Sequence, residues 1–169
     1  MAKRSIKLIN ALDILTDQHT EVDQLFEQLE RGTGDRSETF GELADKLAAH
    51  ATIEETVFYP RILSDQTSDL LHESVEEHLA IKRILADLLV LELDSDEFAA
   101  KLSVLKEQVS HHAHHEEEAK LFPLLRASMD AEELAGLGNE LLVLFEELIA
   151  AEPRWHVPQE TTEAAPLHA

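Results

Sequence analysis

An all-α protein built as an up-down-up-down four-helix bundle is the architecture this sequence predicts, and three observations carry it. Strand signals are nearly absent, chain-breaking residues are few and well separated, and the apolar residues between them recur at alternating steps of three and four. Short connections between long helices make neighbours antiparallel, with the core at the a and d positions of each heptad. The composition agrees: 169 residues, 44% hydrophobic and only 5% aromatic, suit one compact domain with an aliphatic core.

The breakers define each element in turn. They are Gly32 and Gly34, Pro60 with the SDQTSD that follows, DSD at 94–96, Pro123, Gly136 and Gly138, and Pro153 and Pro158. Helices fit between them at about 7–31, 37–60, 66–93 and 96–128, followed by a shorter fifth helix at about 131–150. Residues 1–150 are thus read as the domain. Residues 151–169, including PRWHVPQETTEAAPLHA, have the Pro, Thr and Glu content of a flexible, disordered tail, with Trp155 read as a cap on the bundle end.

The heptad phase gives the histidines their meaning. In the first helix the seam Leu12, Leu15, Val22, Phe26, Leu29 has one gap, and His19 fills it. In the second, Phe40, Leu43 and Leu47 lead to His50 and Glu54 before Val57 resumes the stripe. The third runs Leu71, Val75, His78, then Leu85 and Leu89, with Lys82 as its weak point. The fourth runs Phe98, Leu102, Leu105, Val109, then His112 and Glu116, before Ala119 continues the phase. Each long helix therefore interrupts its apolar stripe with histidine, and two of them add a glutamate one turn later.

A lone histidine on an apolar face is usually a core residue satisfied by a carbonyl or a water. Four imidazoles and two carboxylates in one small core are different, because burying them without a cation is very costly. The chain has no cysteine, so any metal must be held by nitrogen and oxygen. More such ligands than one tetrahedral ion can use suit two first-row ions bridged by the two glutamates, with two non-heme irons as the natural choice. A glutamate four residues after a histidine lies on the same helix face, so each His-x-x-x-Glu pair can give one terminal ligand and one bridge.

The charge narrows the partners. Fourteen Lys plus Arg against 35 Asp plus Glu leave a net charge of −21, which repels nucleic acid and anionic membrane surfaces. No apolar run approaches the roughly 20 residues needed to span a bilayer, and MAKRSIKLINALDIL is not a convincing signal peptide, so a cytoplasmic protein is expected.

The segments DQHTEVDQLF with His19, HATIEETVFYP with His50 and Glu54, EEHLAIKRIL with His78, and HHAHHEEEAKLFP with His112 and Glu116 resemble those of bacterial hemerythrin-like proteins with an HHE cation-binding domain. The resemblance covers roughly residues 10 to 130. It implies a four-helix bundle around a carboxylate-bridged, oxo- or hydroxo-bridged (Fe–O–Fe) di-iron centre that binds dioxygen, reacts with nitric oxide or peroxide, or senses iron and oxygen.

The sequence departs from that family in two places. The oxygen-carrying hemerythrins have two histidines four apart on the third helix, whereas Ser74 and Lys82 flank His78 here, so one iron loses a nitrogen ligand. In the fourth segment, counting back from Pro123 gives one residue too many. The upstream heptad favours Glu116, while a local π-bulge would pair His112 with Glu117 at the spacing the oxygen carriers resemble. The expected ligands are therefore His19, His50, Glu54, His78, His112 and Glu116, with Glu117 as the alternate. His111, His114 and His115 are read as surface or supporting residues, and Tyr59 as a packing residue. The favoured function is binding or turnover of dioxygen, nitric oxide or peroxide at a ligand-poor iron; the alternative is iron or oxygen sensing or storage without turnover.

Overall fold

Side chains set where the helices begin. In the computed structural model, which describes residues 9–168, the Asn10 side chain accepts from the Asp13 N–H at 3.0 Å and opens α1, Ala11–Arg31. The cap satisfies a first-turn donor that has no partner within the helix. Gly32, at φ 65°, closes α1: its left-handed backbone turns its N–H back onto the carbonyls of Gln28 and Leu29. Residues 7 and 8, expected in this helix, lie outside the described residues.

Asp35 caps α2, Arg36–Ile53, by accepting from the Glu38 N–H. The chain runs on through a π-helical turn, Glu54–Phe58, into α3, Tyr59–Ile62, giving one rod over 36–62. Next comes α4, Ser68–Leu88, which stops short of the expected 93 because tight turns replace it at Leu88: the N–H groups of Val90 and Leu91 bond back to Asp87 and Leu88. Ser95 then caps α5, Asp96–Ser110. A longer π-helical passage, His111–Leu121, leads from it into α6, Phe122–Ser128, forming a second composite rod over 96–128. Finally α7, Ala131–Ala150, opens on a capping box between Asp130 and Glu133. The described residues contain no strand.

Both π passages end immediately before an aromatic–proline pair, Tyr59-Pro60 and Phe122-Pro123. Proline inside an α-helix has no N–H and clashes with the carbonyl four residues back; a wider turn just before it lets the rod continue.

The apolar core falls into two clusters. One gathers Val22, Phe26, Leu43, Leu85, Phe98 and Leu105; the other gathers Leu12, Leu15, Phe58, Leu71, Leu121 and Phe122. Along α1 the chain passes from the second cluster to the first, along 36–62 from the first to the second, along α4 back again, and along 96–128 once more to the second. His19, His50, His78 and His112 each sit at the crossing. The polar layer is thus sandwiched between two aliphatic cores that keep bulk water away. α7 covers α1 and α2 with Leu134, Leu137 and Leu141. It approaches so closely that a Cβ on Gly138 would lie 2.7 Å from the backbone nitrogen of Ala11.

The expected flexible tail is instead laid against the bundle through residue 168. A short 3-10 turn, Pro153–Gln159, crosses α2 and α4 and buries Val157 in the first apolar cluster. Arg154 pairs with Asp45, Lys82 with Glu160, and Arg83 donates to the carbonyls of Thr161 and Thr162. These contacts supply what the composition of the tail hides. Trp155, expected to cap the bundle end, is 57% exposed under the Arg154 guanidinium, while Pro153 and Val157 are buried. No helix among the described residues is long and apolar enough to cross a membrane.

Candidate metal centre

The inward side chains arrive by two different helical spacings. On the first composite rod His50 and Glu54 are one α-turn apart, and His50 Nε2 lies 3.2 Å from Glu54 Oε1. On the second, the π passage stacks the residue five positions on, so Glu117 rather than Glu116 comes beneath His112. Glu117 is completely buried at the centre. Glu116 turns outward to an ion pair with Lys120 at 2.6 Å, with His111 3.5 Å away. The heptad count favoured Glu116 because it assumed an unbroken α-helix; the π turns shift the phase by the extra residue.

Four imidazole Nε2 atoms converge on two buried carboxylates. His19 and His50 face each other at 3.2 Å, and His78 and His112 at 2.9 Å. Glu117 Oε2 is 3.1 Å from His19, and Glu54 Oε2 is 3.2 Å from His78. Two groups with metal-ligand spacing result: His19, His50, Glu54 and Glu117, and Glu54, His78 and His112. Glu54 belongs to both, one oxygen toward each. Glu54 Oε1 and Glu117 Oε2 are buried without a hydrogen-bond partner, a costly state for a carboxylate oxygen unless a cation meets it. The donor set and the two orphaned oxygens fit a pair of bound cations.

Behind the Nε2 atoms, every Nδ1 is held by a residue on another rod. Glu118 accepts from His19 at 2.6 Å, Gln18 from His50 at 2.6 Å, Glu55 from His78 at 3.0 Å and Glu77 from His112 at 2.7 Å. An Nδ1–H donated outward leaves the Nε2 lone pair pointing in, the tautomer a metal requires. The four acceptors form a closed circuit: α1 orients the histidine of 36–62, that rod orients His78 on α4, α4 orients His112, and 96–128 orients His19 on α1. Three of these acceptors are themselves braced, Glu55 by Lys82, Glu77 by His111 and Glu118 by His114. The surplus histidines His111 and His114 therefore sit behind the acceptors, while His115 is exposed and stacks on His111.

The electrostatics demand positive charge at the centre. Burial disfavours a charged His19, yet the adjacent carboxylates of Glu117 and Glu118 raise its pKa to about 9. Burial likewise opposes charge on His112, but the charge of Glu117 and the hydrogen bonds to Glu54 and Glu77 raise it to about 10. Burial pushes Glu54 up; the charge of His50 and the hydrogen bonds from the histidines more than reverse this and hold it well below the usual carboxylate range. Protons gather where metal cations would otherwise supply the charge. Residues 10–125 match the family described as hemerythrin HHE cation binding domain. The chain belongs to that family.

The hemerythrin fold is shared with a crystal structure of a hemerythrin HHE cation binding domain-containing protein, an Rv2633c homolog from Mycobacterium kansasii. It has a TM-score of 0.75 at 20% identity, over 90% of this chain and 94% of that one. A protein named DNA nickase from Nostoc sp. (strain PCC 7120) is 29% identical over 127 residues, 74% of this chain but 36% of that protein. The chain thus spans about a third of that relative's length.

Of the candidate ligands, this HHE domain brings together His19, His50, Glu54, His78, His112 and Glu117, and leaves Glu116 outside. It also brings in Tyr59, which an unbroken helix would have turned away. The π turn beginning at Glu54 stacks Tyr59 five residues on, and its hydroxyl donates to Glu117 at 3.0 Å and to Glu54 at 3.2 Å. Burial and the charges of Glu117 and Glu54 hold its pKa well above the usual value, so it stays a phenol. The outer acceptors carried a legible signal that the heptad argument passed over. Gln18-His19, Glu54-Glu55, Glu77-His78 and Glu117-Glu118 are adjacent polar pairs at the core stripe, and in each one member points in while the other reaches sideways to a neighbouring rod.

Proposed function

We propose that this HHE domain is an up-down-up-down four-helix bundle holding two non-heme irons, and that it binds or reacts with dioxygen, nitric oxide or peroxide. His19, His50 and Glu117 would hold one ion and His78 and His112 the other, with Glu54 shared between them. The supporting observation is the inequality of the two groups, four donors against three. Bound iron supplies electron transfer and, at the poorer ion, an open coordination position for a small exogenous ligand.

The residues around it prepare that position. Glu55 and Glu77 hold the rings of His78 and His112 with their donor atoms inward. Tyr59 presents the buried O–H at the centre, already bonded to Glu54 and Glu117 and 3.5 Å from His78 Nε2, where it can hold a proton beside an entering ligand. The apolar clusters on either side exclude water and favour small, weakly polar molecules. The activity in the name of the Nostoc relative is not carried over, because a net charge of −21 opposes approach to DNA.

The test is metal content followed by reactivity. Protein purified with iron available should hold two irons per chain, and its reduced form should oxidise in air, bind nitric oxide or consume peroxide in stopped-flow measurements. One tightly bound zinc with no second metal would rule out the two-iron centre. A spectral change with dioxygen that reverses on deoxygenation, without peroxide consumption above free iron, would move the function to oxygen storage or sensing.

A further inference from the structure

Lys82 is a buried cation one turn after His78 and off the metal-facing layer. Burying an ammonium is costly unless anions meet it on every open side. Two do: Glu55 Oε2 at 2.8 Å and Glu160 Oε2 at 2.8 Å. The other oxygen of Glu55 accepts from His78 Nδ1 at 3.0 Å. An unbroken path of polar contacts therefore runs from the C-terminal segment to the histidine of the poorer metal group, Glu160 to Lys82 to Glu55 to His78.

This path differs from the other braces around the centre. Glu77 and Glu118 rest on His111 and His114, both carried by the same rod as ligands. Glu55 alone rests on a residue whose second partner comes from outside the four ligand-bearing rods. The C-terminal segment is fastened at separate points: Val157 is buried in the core, Arg154 pairs with Asp45, and Arg83 donates to the carbonyls of Thr161 and Thr162. Beside the Lys82–Glu160 pair the segment roofs a cleft of about 520 Å³ lined by Glu55, Lys82, Gln159, Glu160, Thr162 and Glu163. Apolar contacts of Val157, Ala164, Ala165 and Leu167 hold the segment on the bundle, and the Lys82–Glu160 pair is the polar bond that ties it to the His78 side of the layer.

We propose that the C-terminal segment is a clamp on the metal centre, acting through Lys82 as a positioning residue: Glu160 holds Lys82 against Glu55, and Glu55 keeps the His78 ring aimed inward. The clamp rests on the two-metal reading above. Its consequence is selective, because only the His78–His112 ion depends on it, while the His19–His50 ion is braced entirely within the bundle.

The experiment uses the full-length, iron-loaded chain with Lys82→Met, Glu160→Gln and Glu160→Lys. Iron release to a chelator is followed, together with the His78 Nδ1–H resonance in the metal-free chain. Lys82→Met should lose one of two irons about tenfold faster, the usual scale for removing support behind a ligand. Glu160→Lys should act in the same direction and more strongly than Glu160→Gln, and the His78 resonance should broaden or vanish in Lys82→Met. Glu160 is at the surface, so Glu160→Lys decides the matter even if Lys82→Met fails to fold. Both irons leaving Lys82→Met and Glu160→Lys at the unaltered rate, with the His78 resonance intact, would overturn the clamp. An effect of Lys82→Met without any effect of Glu160→Lys would overturn the role of the C-terminal segment. An unaltered chain with no second iron counts against the two-metal reading instead, and the His78 resonance then judges the clamp by itself.

Discussion

The two composite rods bring a histidine and a glutamate to the same layer, and they do it with different backbones. On 36–62 the α-helix persists through His50 and opens into a π turn only at Glu54, so the pair is four residues apart and the π turn serves Tyr59. On 96–128 the π passage starts at His111 and contains both His112 and Glu117, so the pair is five apart. A His-x-x-x-Glu pattern therefore occurs in both rods but is used in one. Where the π turn begins matters more than the spacing itself: both passages end just before an aromatic–proline pair, but they begin at different distances from it.

The largest effect should come from the glutamate that this difference selects. Glu117→Ala removes a fully buried carboxylate that faces His19 and is bonded by Tyr59. It should empty at least one metal position and cost about 3–5 kcal/mol, the range for breaking a buried charge pair. Glu116→Ala removes a partner of Lys120 and His111 and should keep both metals. Metal analysis and thermal melts of the two variants give the answer; equal metal loss in both would mean that the rods do not differ as described.

A deletion makes the comparison sharper. Removing the exposed His115 shortens the spacing from His112 to Glu117 to four, the spacing of the first rod. Metal content should survive and the helix should gain regular hydrogen bonds, visible as a higher melting temperature. Loss of both metals would show that the second rod needs its π passage for more than spacing.

pH separates the halves next. His19 at about 9 and His112 at about 10 lie above the ordinary 6.5, so in metal-free protein each contributes stability that is complete below about pH 6.5 and is lost as pH rises through its folded value. The metal-free chain should therefore melt at a lower temperature at pH 10 than at pH 7. Metal must displace those protons, so proton release on loading should be measurable by calorimetry in two buffers of different ionisation heat. A metal-free melting temperature that rises between pH 7 and pH 10 would contradict this.

The smallest effect belongs to the outermost tier. His114 braces Glu118 and pairs with Asp23 but is a third exposed. His114→Ala should leave metal content unchanged and shift stability by no more than about 1 kcal/mol, as for other exposed ion pairs.

Heptad counting placed His19, His50, Glu54 and His78 in the buried layer because those stretches are regular α-helix up to these residues. It failed where the period changed, at Glu116 and at Tyr59, since no single residue type announces a π turn; only the extra residue before Pro123 hinted at it. The end of the chain was misjudged for another reason. PRWHVPQETTEAAPLHA is poor in large apolar residues, and what fixes it are partners far away in sequence: Asp45, Lys82 and Arg83, and the apolar clusters that take Val157, Ala164, Ala165 and Leu167. Composition cannot register such contacts.

The circuit of acceptors around the four histidines has a consequence for how the protein is made. Its closing bond joins His19 to Glu118 across 99 residues of chain, the longest span in the ring. Contacts of that separation form late, because loop closure must be accomplished before they reward it. A chain emerging from the ribosome carries its first histidine for most of synthesis without the carboxylate that orients it. The inward layer is thereby completed only when the last histidine-bearing rod has docked, so a cation held there would report a finished fold in place of seeding an unfinished one.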